Sequence, residues 1–481
     1  MSHPFDRYST ITDLHALKEW SEKPLRKSIR INTLKTDSAA FQKRAADRGW
    51  QLTSVPWCPE GFFIERENRE EALGRDLLHL AGFFYIQEAA SMLPAALLDP
   101  QPGESVLDMS AAPGSKTTQM TAAMRGRGVV LANDVQEKRL WTLKSALHRA
   151  GATNVIVTKK VGQWFARHMT ERFDRVLCDA PCTAQGTARK DSEALQYCSM
   201  DNVRKMSGLQ VALLASAIHC AKVGGRIVYS TCTLTPEENE GVVLEILRMF
   251  EGKVEVIHPA EAMQHATCNM QHAIDDSAAV QDWLRQHGHD PVSNTHYPLV
   301  RLWPQTYDTE GFFSAVLRKT ASTRDSDPMR RVRFQEADVS RQQADGFVQL
   351  LMHRYGTTFK HEGERLYRRG ELLLLASDAV STFEMPLEDY ALGLPFAKVL
   401  RDGRLLLDHE TASLRGGEAT AGVWDADWNS VEALLKAKDT DCPPELDGPI
   451  IVRFDGIVLG MGLAKNGRLK NNLPRWMVRF G

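Results

Sequence analysis

The sequence lacks the features that would tie the protein to a membrane or to export. It contains no run of about 18 apolar residues, so we expect no membrane-spanning segment. The N-terminal residues Met1–Thr10 are polar and lack the apolar stretch of a secretory signal. We therefore expect a cytoplasmic protein. The chain also shows no internal repeat and no low-complexity segment.

Cysteine is sparse, with eight residues in a chain of 481, and the eight show no paired spacing. A disulfide framework is not expected in a long cytosolic chain. Cys178 and Cys182 stand four residues apart, but no second Cys/His pair at zinc-ligand spacing accompanies them. We therefore expect no metal site.

An excess of charge of either sign is also missing, because 59 Lys and Arg residues face 61 Asp and Glu residues. A protein that binds nucleic acid needs basic surface, which must here be local. Three stretches contain several Lys or Arg residues and could supply it: residues 23–30, 330–333 and 465–479. Each stretch is equally compatible with an ordinary solvated face.

Strands and helices alternate through the middle of the chain. Five short apolar segments predict strands: Ser105–Met109, Val129–Ala132, Asn154–Thr158, Arg175–Cys178 and Arg226–Ser230. This alternation predicts an α/β, Rossmann-like parallel sheet with helices on both faces. Leu299–Trp303 and Phe312–Arg318 predict two further strands, joined by a polar turn, which close the sheet with antiparallel pairing.

Changes in pattern along the chain predict several structural units. We expect an N-terminal mixed α/β domain at residues 1–80, the parallel-sheet domain at 81–320, a polar linker at 321–335 and a β-rich C-terminal region at 336–481. Within the last region, short strands are predicted at Ile450–Phe454, Ile457–Gly462 and Trp476–Phe480.

Chemistry-bearing residues follow the strand ends, where α/β sheets bind ligands. The segment Asp108–Thr117 is rich in small residues, which allow a ligand to approach the backbone before a helix begins. Asp134 follows the second strand and is suited to accept hydrogen bonds from ribose hydroxyls. Taken singly, the segment also fits a tight strand–helix turn, although less well, and Asp134 is equally explained as a helix cap.

Two cysteines stand just beyond the ends of separate strands. One is Cys182 in Asp179-Ala180-Pro181-Cys182, and the other is Cys232 in Ser230-Thr231-Cys232-Thr233. Cys178, inside its strand, is better explained as a small core residue. Two strand-end thiols, an aspartate and a small-residue loop together indicate covalent chemistry on a bound ligand.

These motifs resemble those of the RNA cytosine-5 methyltransferase family (the NOL/NOP/Sun group). The resemblance covers about residues 20–320 and includes Arg189-Lys190-Asp191 and Pro236-Glu237-Glu238-Asn239. It implies a class I methyltransferase sheet that uses S-adenosylmethionine to methylate carbon 5 of a cytosine in RNA. We expect the substrate to be 16S rRNA, or the small ribosomal subunit, and the protein to be a monomer.

The resemblance also implies roles for individual residues. Cys232 would be the nucleophile, and Cys182 would assist release of the product. Asp179 would bond the cytosine edge near the methyl donor, and Lys190 would be a further member of the catalytic site. The donor would be held by Asp179, by Asp134 at its ribose, and by the loop residues Ser110, Ala111, Ala112, Pro113, Gly114, Ser115 and Lys116.

One departure and one weaker resemblance leave alternatives open. The family usually has an aspartate that contacts the adenine where this chain has Val161. A non-catalytic RNA-binding assembly factor that has lost cofactor binding is therefore one alternative. A tRNA substrate is a second alternative, because the catalytic residues do not distinguish tRNA from rRNA. Gly456 to Lys470 resembles a PUA-type RNA-binding fold, although a generic β-barrel explains that pattern equally well.

Overall fold

The computed structural model describes residues 3–67, 72–263, 274–275, 282, 297–324, 337–386 and 390–478. The basic stretch 330–333 and most of the predicted linker lie outside the described residues. None of the helices in the described part of the chain is both long enough and apolar enough to cross a membrane.

The N-terminal region forms a four-stranded sheet flanked by short helices. Its strands, in the spatial order β2-β3-β1-β4, are β1 (Ser28–Ile31), β2 (Gln51–Val55), β3 (Cys58–Glu65) and β4 (Phe84–Ile86). Its helices are Pro4–Tyr8, Leu14–Glu22, Ser38–Ala46, Leu73–Arg75 and Leu77–Leu80, of which the first and fourth are 3-10 helices. The boundary at residue 80 stays a prediction, and the sheet itself ends with β4.

The central sheet contains the five predicted parallel strands and an antiparallel extension. Its strands are β5 (Ser105–Asp108), β6 (Val129–Asn133), β7 (Val155–Thr158), β8 (Phe173–Asp179), β9 (Ala221–Thr231), β10 (Val254–Val256), β11 (Ile274–Asp275), β12 (Leu299–Leu302) and β13 (Phe312–Lys319). β5, β6 and β7 are buried at every position, as strands covered on both faces require. The Rossmann-like prediction is confirmed.

Helices cover both faces of this sheet. They are Ala90–Met92, Leu93–Leu98, Ser115–Ala123, Glu137–Ala150, Gly162–His168, Gln185–Thr187, Ser192–Tyr197, Met200–Cys220, Pro236–Glu238, Glu240–Met249, Pro259–Ala262 and Pro304–Tyr307. In Glu137–Ala150, the apolar stripe of Leu140, Leu143 and Leu147 is buried. Gly151 ends that helix with a φ of 79°, a left-handed conformation that suits glycine.

The antiparallel closure of the sheet is also as the sequence predicts. β13 pairs with β9 on one side and with β12 on the other. The connection between β12 and β13 contains a short helix, Pro304–Tyr307, where the sequence indicated only a polar turn. Pro304 occupies the first helical position, at which its missing N–H costs no hydrogen bond.

The C-terminal region contains two five-stranded sheets. Its strands are β14 (Ala337–Asp338), β15 (Glu364–Arg369), β16 (Leu372–Ser377), β17 (Ala391–Leu392), β18 (Leu394–Val399), β19 (Leu405–Leu407), β20 (Val423–Asp425), β21 (Thr440–Asp441), β22 (Gly448–Phe454), β23 (Ile457–Lys465) and β24 (Arg468–Asn471). Its helices are Arg341–Tyr355, Asp378–Thr382, His409–Arg415, Gly416–Glu418 and Trp428–Leu435. The β-rich prediction is confirmed.

One strand prediction in this region is wrong. Trp476 lies in a turn, where the Met477 N–H donates to the Pro474 carbonyl oxygen over 2.9 Å. The apolar run from Trp476 to Val478 pairs with no strand of the described residues. Met477 instead packs into the hydrophobic cluster that contains residues of the N-terminal sheet and of the last sheet. Residues 479 and 480, the end of the predicted strand, lie outside the described residues.

The C-terminal region is joined to the rest of the fold. β17 adds to the edge of the central sheet by pairing antiparallel with β7. The last sheet shares a hydrophobic core with the N-terminal sheet, in which Ile29 and Phe41 belong to the same cluster as Val431 and Leu459. Regions far apart in the chain therefore bury one another's apolar surfaces.

Arg30 belongs to the interior and not to the basic surface that its stretch suggested. Its side chain is only 3% exposed, and its guanidinium donates to the Ser115 carbonyl oxygen over 2.7 Å and to Thr118 Oγ1 over 2.9 Å. Arginine offers five donors, so it satisfies several acceptors across a buried interface. Arg30 thereby attaches the N-terminal sheet to the helix Ser115–Ala123.

Candidate active site

Four loops meet at the carboxyl edge of the central sheet. They follow four adjacent strands of the sheet, which stand in the order β9-β8-β5-β6. Because parallel strands end at one edge, their following loops lie together whatever their separation in sequence. The predicted site residues lie at these strand ends or in the segments that follow them.

The loop Ser110–Gly114 is held tightly between β5 and β6. The Ala111 N–H donates to the Asn133 carbonyl oxygen over 2.7 Å, and the Ala112 N–H donates to Asp134 Oδ2 over 3.3 Å. Gly114 has a φ of 110°, and a Cβ there would stand 3.0 Å from the Ala146 side chain. The turn therefore requires glycine before the helix starts at Ser115.

Asp134 has several partners from this loop and from the next helix. It is 2% exposed, accepts from the Gln136 N–H over 2.9 Å, and lies 3.2 Å from Arg139 Nη1. Arg139 also donates to the Ala112 carbonyl oxygen. The carboxylate is thus oriented from both sides at the end of β6.

Asp108 provides an unpaired acceptor in the same place. Thr117 Oγ1 donates to its Oδ2 over 2.7 Å, whereas its buried Oδ1 has no hydrogen-bond partner among the described residues. Burial raises the pKa of Asp108 to about 7. An orphaned buried oxygen beside a loop of small residues fits a compact polar ligand such as a nucleoside.

Lys116 and Asp179 form an ion pair that links the loops after β5 and β8. Lys116 Nζ donates to Asp179 Oδ2 over 2.7 Å, and Ser230 Oγ donates to Asp179 Oδ1 over 2.7 Å. The Asp179 carboxylate is therefore fixed by one donor on each oxygen. Each oxygen keeps further acceptor capacity for a ligand.

The two strand-end cysteines are in contact. Cys182 Sγ and Cys232 Sγ lie 3.4 Å apart, although the residues are fifty positions apart and follow different strands. The hydrogen bond to Cys232 and burial raise the pKa of the Cys182 thiol well above its ordinary value. Cys178 is buried in the core beneath them, as the sequence predicted.

A buried polar network holds the two cysteine loops. Glu238 accepts from the Thr183 N–H over 3.0 Å and from Gln210 Nε2 over 2.9 Å. Thr231 Oγ1 donates to Asn239 Oδ1 over 2.6 Å, and Asn239 Nδ2 donates to the Thr233 carbonyl oxygen over 3.1 Å. The motif Pro236–Asn239 therefore supports both loops from below.

The start of this motif has no side-chain cap, although the threonine before it is a residue type that often caps helices. Pro236 does occupy the first position of a 3-10 helix, but the Thr235 side chain caps nothing. The Thr235 hydroxyl instead lies 3.0 Å from Thr233 Oγ1 and 3.3 Å from the Tyr8 hydroxyl oxygen. Tertiary partners have replaced the local hydrogen bond.

Lys190 lies near a pair of acidic residues. Its charge acts on Glu88 and Glu310, and the Glu310 N–H donates to Glu88 Oε1 over 3.2 Å. Burial and the neighbouring Glu88 raise the pKa of Glu310 to about 7. Sequence reasoning missed this pair, since Glu310 follows a turn and carries no spacing signal relative to Glu88.

Val161 is 55% exposed and stands immediately before the helix Gly162–His168. Its backbone neighbour Lys160 is held by Asn133, whose Oδ1 accepts from the Lys160 N–H over 2.9 Å. The segment after β7 therefore stays attached to the end of β6. An exposed valine there provides no hydrogen bond to a ligand.

Three family patterns match the chain in order. Residues 8–89 match the N-terminal domain of 16S rRNA methyltransferase RsmF, residues 95–318 match 16S rRNA methyltransferase RsmB/F, and residues 430–479 match the methyltransferase RsmF PUA domain. The PUA-like end expected from the sequence is thereby confirmed.

Similar proteins agree with these patterns. A relative from Vibrio cholerae serotype O1 (strain M66-2) is 34% identical over 95% of this chain and 92% of its own length, and one from Aeromonas hydrophila is 35% identical over the same shares. Both are named ribosomal RNA small subunit methyltransferase F. A solved methyltransferase homologue from Pyrococcus horikoshii is 37% identical, with a TM-score of 0.56, over 65% of this chain and 93% of its own.

These matches cover the site loops as well as both flanking regions. The chain therefore belongs to the 16S rRNA methyltransferase RsmB/F family, with the N-terminal and PUA domains of RsmF.

Proposed function

We propose that this protein transfers a methyl group from S-adenosylmethionine to carbon 5 of a cytosine in 16S rRNA, through a covalent bond between Cys232 and carbon 6. The observation that carries the proposal is the contact of the Cys182 and Cys232 sulfurs, 3.4 Å apart, near the Lys116–Asp179 ion pair. Two touching thiols suit a reaction that both makes and breaks a thioether bond. The names of the relatives favour rRNA over tRNA.

The reaction needs a thiolate because carbon 5 of cytosine is a poor nucleophile. Addition of Cys232 Sγ to carbon 6 breaks the aromaticity and makes carbon 5 electron-rich, so that carbon 5 attacks the methyl group. The proton on carbon 5 then passes to a base, and cleavage of the Sγ–C6 bond restores the ring. Cys182, in contact with Cys232, is positioned to assist this elimination by general acid–base catalysis.

Asp179 is suited to recognise the cytosine edge. Lys116 and Ser230 fix its two oxygens, and the carboxylate keeps lone pairs for the exocyclic amino group. Because carbon 6 is hidden in a stacked duplex, the substrate cytosine must be unpaired or flipped.

The residues present fit S-adenosylmethionine, although the usual adenine contact is missing at Val161. Ser110 to Lys116 would hold its amino-acid and ribose parts, Asp134 would hold the ribose hydroxyls, and the orphaned Asp108 Oδ1 offers a further acceptor. When bound, the cofactor supplies an electrophilic methyl group. The protein's own contribution is to hold the cysteines, Asp179 and the cytosine at the distances and orientations that the reaction needs.

The test is incubation of the full-length protein with labelled S-adenosylmethionine and either small-subunit rRNA or tRNA. We expect label at carbon 5 of cytosine in 16S rRNA alone. Cys182→Ala is expected to accumulate a covalent protein–RNA adduct, visible as a denaturation-resistant shift on a gel. Label in tRNA alone would favour the tRNA alternative. No label, together with no heat of S-adenosylmethionine binding by calorimetry, would favour the assembly factor.

A further inference from the structure

A buried carboxylate lies behind the two cysteine loops. Glu238 is fully buried, and its Oε2 accepts from the Thr183 N–H over 3.0 Å and from Gln210 Nε2 over 2.9 Å. Its Oε1 accepts from the Thr183 hydroxyl. Three donors to one carboxyl group suit the ionised form, which only accepts hydrogen bonds. Burial raises the pKa of Glu238, and these donors oppose that effect.

The same network determines where Cys182 lies. Gln210 Nε2 also donates to the Pro181 carbonyl oxygen over 2.8 Å, so the backbone is held on both sides of Cys182. Thr183 Oγ1 lies 3.1 Å from Thr233 Oγ1, next to Cys232. One carboxylate is therefore connected to both cysteine loops through Thr183.

The charged groups that act on the two sulfurs differ, because the ammonium that acts on Cys232 belongs to Lys116 and is paired with Asp179. The negative charge of Glu238 acts on Cys182, whose pKa is raised first by the hydrogen bond to Cys232, then by burial and by the charges of Cys232 and Glu238. The ammonium of Lys116 faces Cys232. Among the described residues, Glu237 adds a second negative charge near Glu238, and Arg7 is its ion-pair partner.

We propose that Glu238 is a positioning residue that assigns the roles of the two cysteines. Its charge keeps Cys182 as a neutral thiol that donates its S–H to Cys232 Sγ, so that Cys232 is the sulfur that carries the negative charge. The consequence for catalysis rests on the function proposed above. The charge assignment itself is a property of the free protein and is measured without RNA.

Competitive alkylation of the full-length protein tests this assignment. Iodoacetamide reacts with thiolates, and mass spectrometry separates the peptides that carry Cys182 and Cys232. Near pH 7.5 we expect Cys232 to be labelled faster by about tenfold or more, which corresponds to at least one pKa unit. Cys182 should react only as the pH rises further.

Substitutions separate the charge of Glu238 from its shape. Glu238→Gln is expected to reduce the ratio of the two labelling rates by about threefold or more, since it removes the charge but keeps the size, while the hydrogen bond to Cys232 and burial still act on Cys182. Glu238→Asp keeps the charge and should restore the preference for Cys232. Glu237→Gln is the matched control, because it removes a neighbouring carboxylate that has no hydrogen bond to the cysteine loops, and the preference should persist.

Two results would overturn the proposal: faster labelling of Cys182 in the wild-type protein, or an unchanged ratio in folded Glu238→Gln. If Glu238→Gln fails to fold, the proposal is still tested by the wild-type protein, in which Cys232 must react at a lower pH than Cys182. A wild-type protein with the expected order but no methylation of 16S rRNA would contradict the proposed function and leave the charge assignment standing.

Discussion

The carboxyl edge of the central sheet and the contact with the C-terminal region bury ionisable groups in different ways. At the carboxyl edge, Lys116 and Asp179 are paired, and Glu238 has three donors. Such partners stabilise the charged forms, which leaves charge available to act on the cysteines.

At the second place, which we call the docking junction, burial is the largest influence on the pKa of each ionisable group. The docking junction is the contact between the helices Glu137–Ala150 and His409–Arg415, together with Lys35. Burial lowers the pKa of His148 to about 3 and that of Lys35 to about 7. It raises the pKa of Glu410 to about 8. The comparison teaches that hydrogen-bond donors and ion pairs offset part of the cost of burying charge around the two cysteines, whereas at the docking junction burial outweighs the neighbouring partners.

The largest effect is expected at the carboxyl edge. Cys232→Ala removes the proposed nucleophile and should lower methyl transfer to 16S rRNA by at least about 10³-fold, because the covalent bond to carbon 6 can then no longer form. Transfer of labelled methyl groups is the measurement. Cys198→Ala, at a partly exposed cysteine outside the pair, is the control and should keep full activity.

The second effect concerns a buried ion pair near the same edge. Arg301 is fully buried, pairs with Glu240, and donates to the Leu234 carbonyl oxygen over 2.7 Å. Arg301→Met leaves Glu240 buried without its cation, so the free energy of unfolding should fall by about 3–5 kcal/mol. Denaturant titration measures it.

A surface ion pair provides the matched comparison for Arg301. Arg318 pairs with Glu255 and Glu261, and all three side chains are exposed. Arg318→Met should cost less than about 1 kcal/mol, because solvent screens exposed pairs. Equal losses from the two substitutions would contradict our account of the buried pair.

The third effect concerns β17 at the edge of the central sheet. Leu392 is 2% exposed and packs with core residues of that sheet, opposite Ile156. Leu392→Ala should lower the free energy of unfolding by about 2–3 kcal/mol while leaving activity below the melting temperature unchanged. Leu350→Ala, at an exposed helical leucine, should change stability by less than about 0.5 kcal/mol.

The smallest effect is a dependence of stability on pH at the docking junction. Burial, together with the charge of the nearby Lys35, lowers the pKa of His409 to about 3. Below about pH 6.5 the His409 imidazole therefore binds a proton in the unfolded chain but not in the folded chain. Stability from this group is complete above pH 6.5 and is lost as the pH falls, by about 1.4 kcal/mol per pH unit.

His409→Gln isolates this effect, since glutamine does not titrate. We expect the difference in unfolding free energy between pH 7.5 and pH 5.5 to be smaller in the variant by about 1 kcal/mol. Other titrating groups contribute equally to both proteins and cancel. A variant with the same acid sensitivity as the wild-type protein would show that His409 is protonated when folded.

The sequence was a good guide wherever structure depends on nearby residues. Apolar runs bounded by turns predicted all five parallel strands, and Gly151 ends the helix Glu137–Ala150 because glycine adopts a left-handed φ without strain. Where a local signal competed with tertiary contacts it failed. Thr235 caps no helix because Thr233 and Tyr8 are nearby, and Trp476 has no strand partner.

For the candidate site, the local sequence was enough to predict that Cys182, Cys232, Asp179 and Asp134 stand at strand ends. Parallel strands end at a common edge, so residues just after such strands are brought together by topology alone. The amino-acid sequence thus determined which side chains are available at that edge. Their catalytic roles stay predictions until the variants are measured.

Only the tertiary structure decided how those side chains are charged and held. Glu238 reaches Thr183 across 55 positions, and Arg30 reaches Thr118 across 88. No sequence pattern records such pairs, because burial and the distance between distant residues exist only after the chain has packed. Composition and periodicity determine the strands and their ends, whereas the electrostatics of the two cysteines arise from long-range contacts.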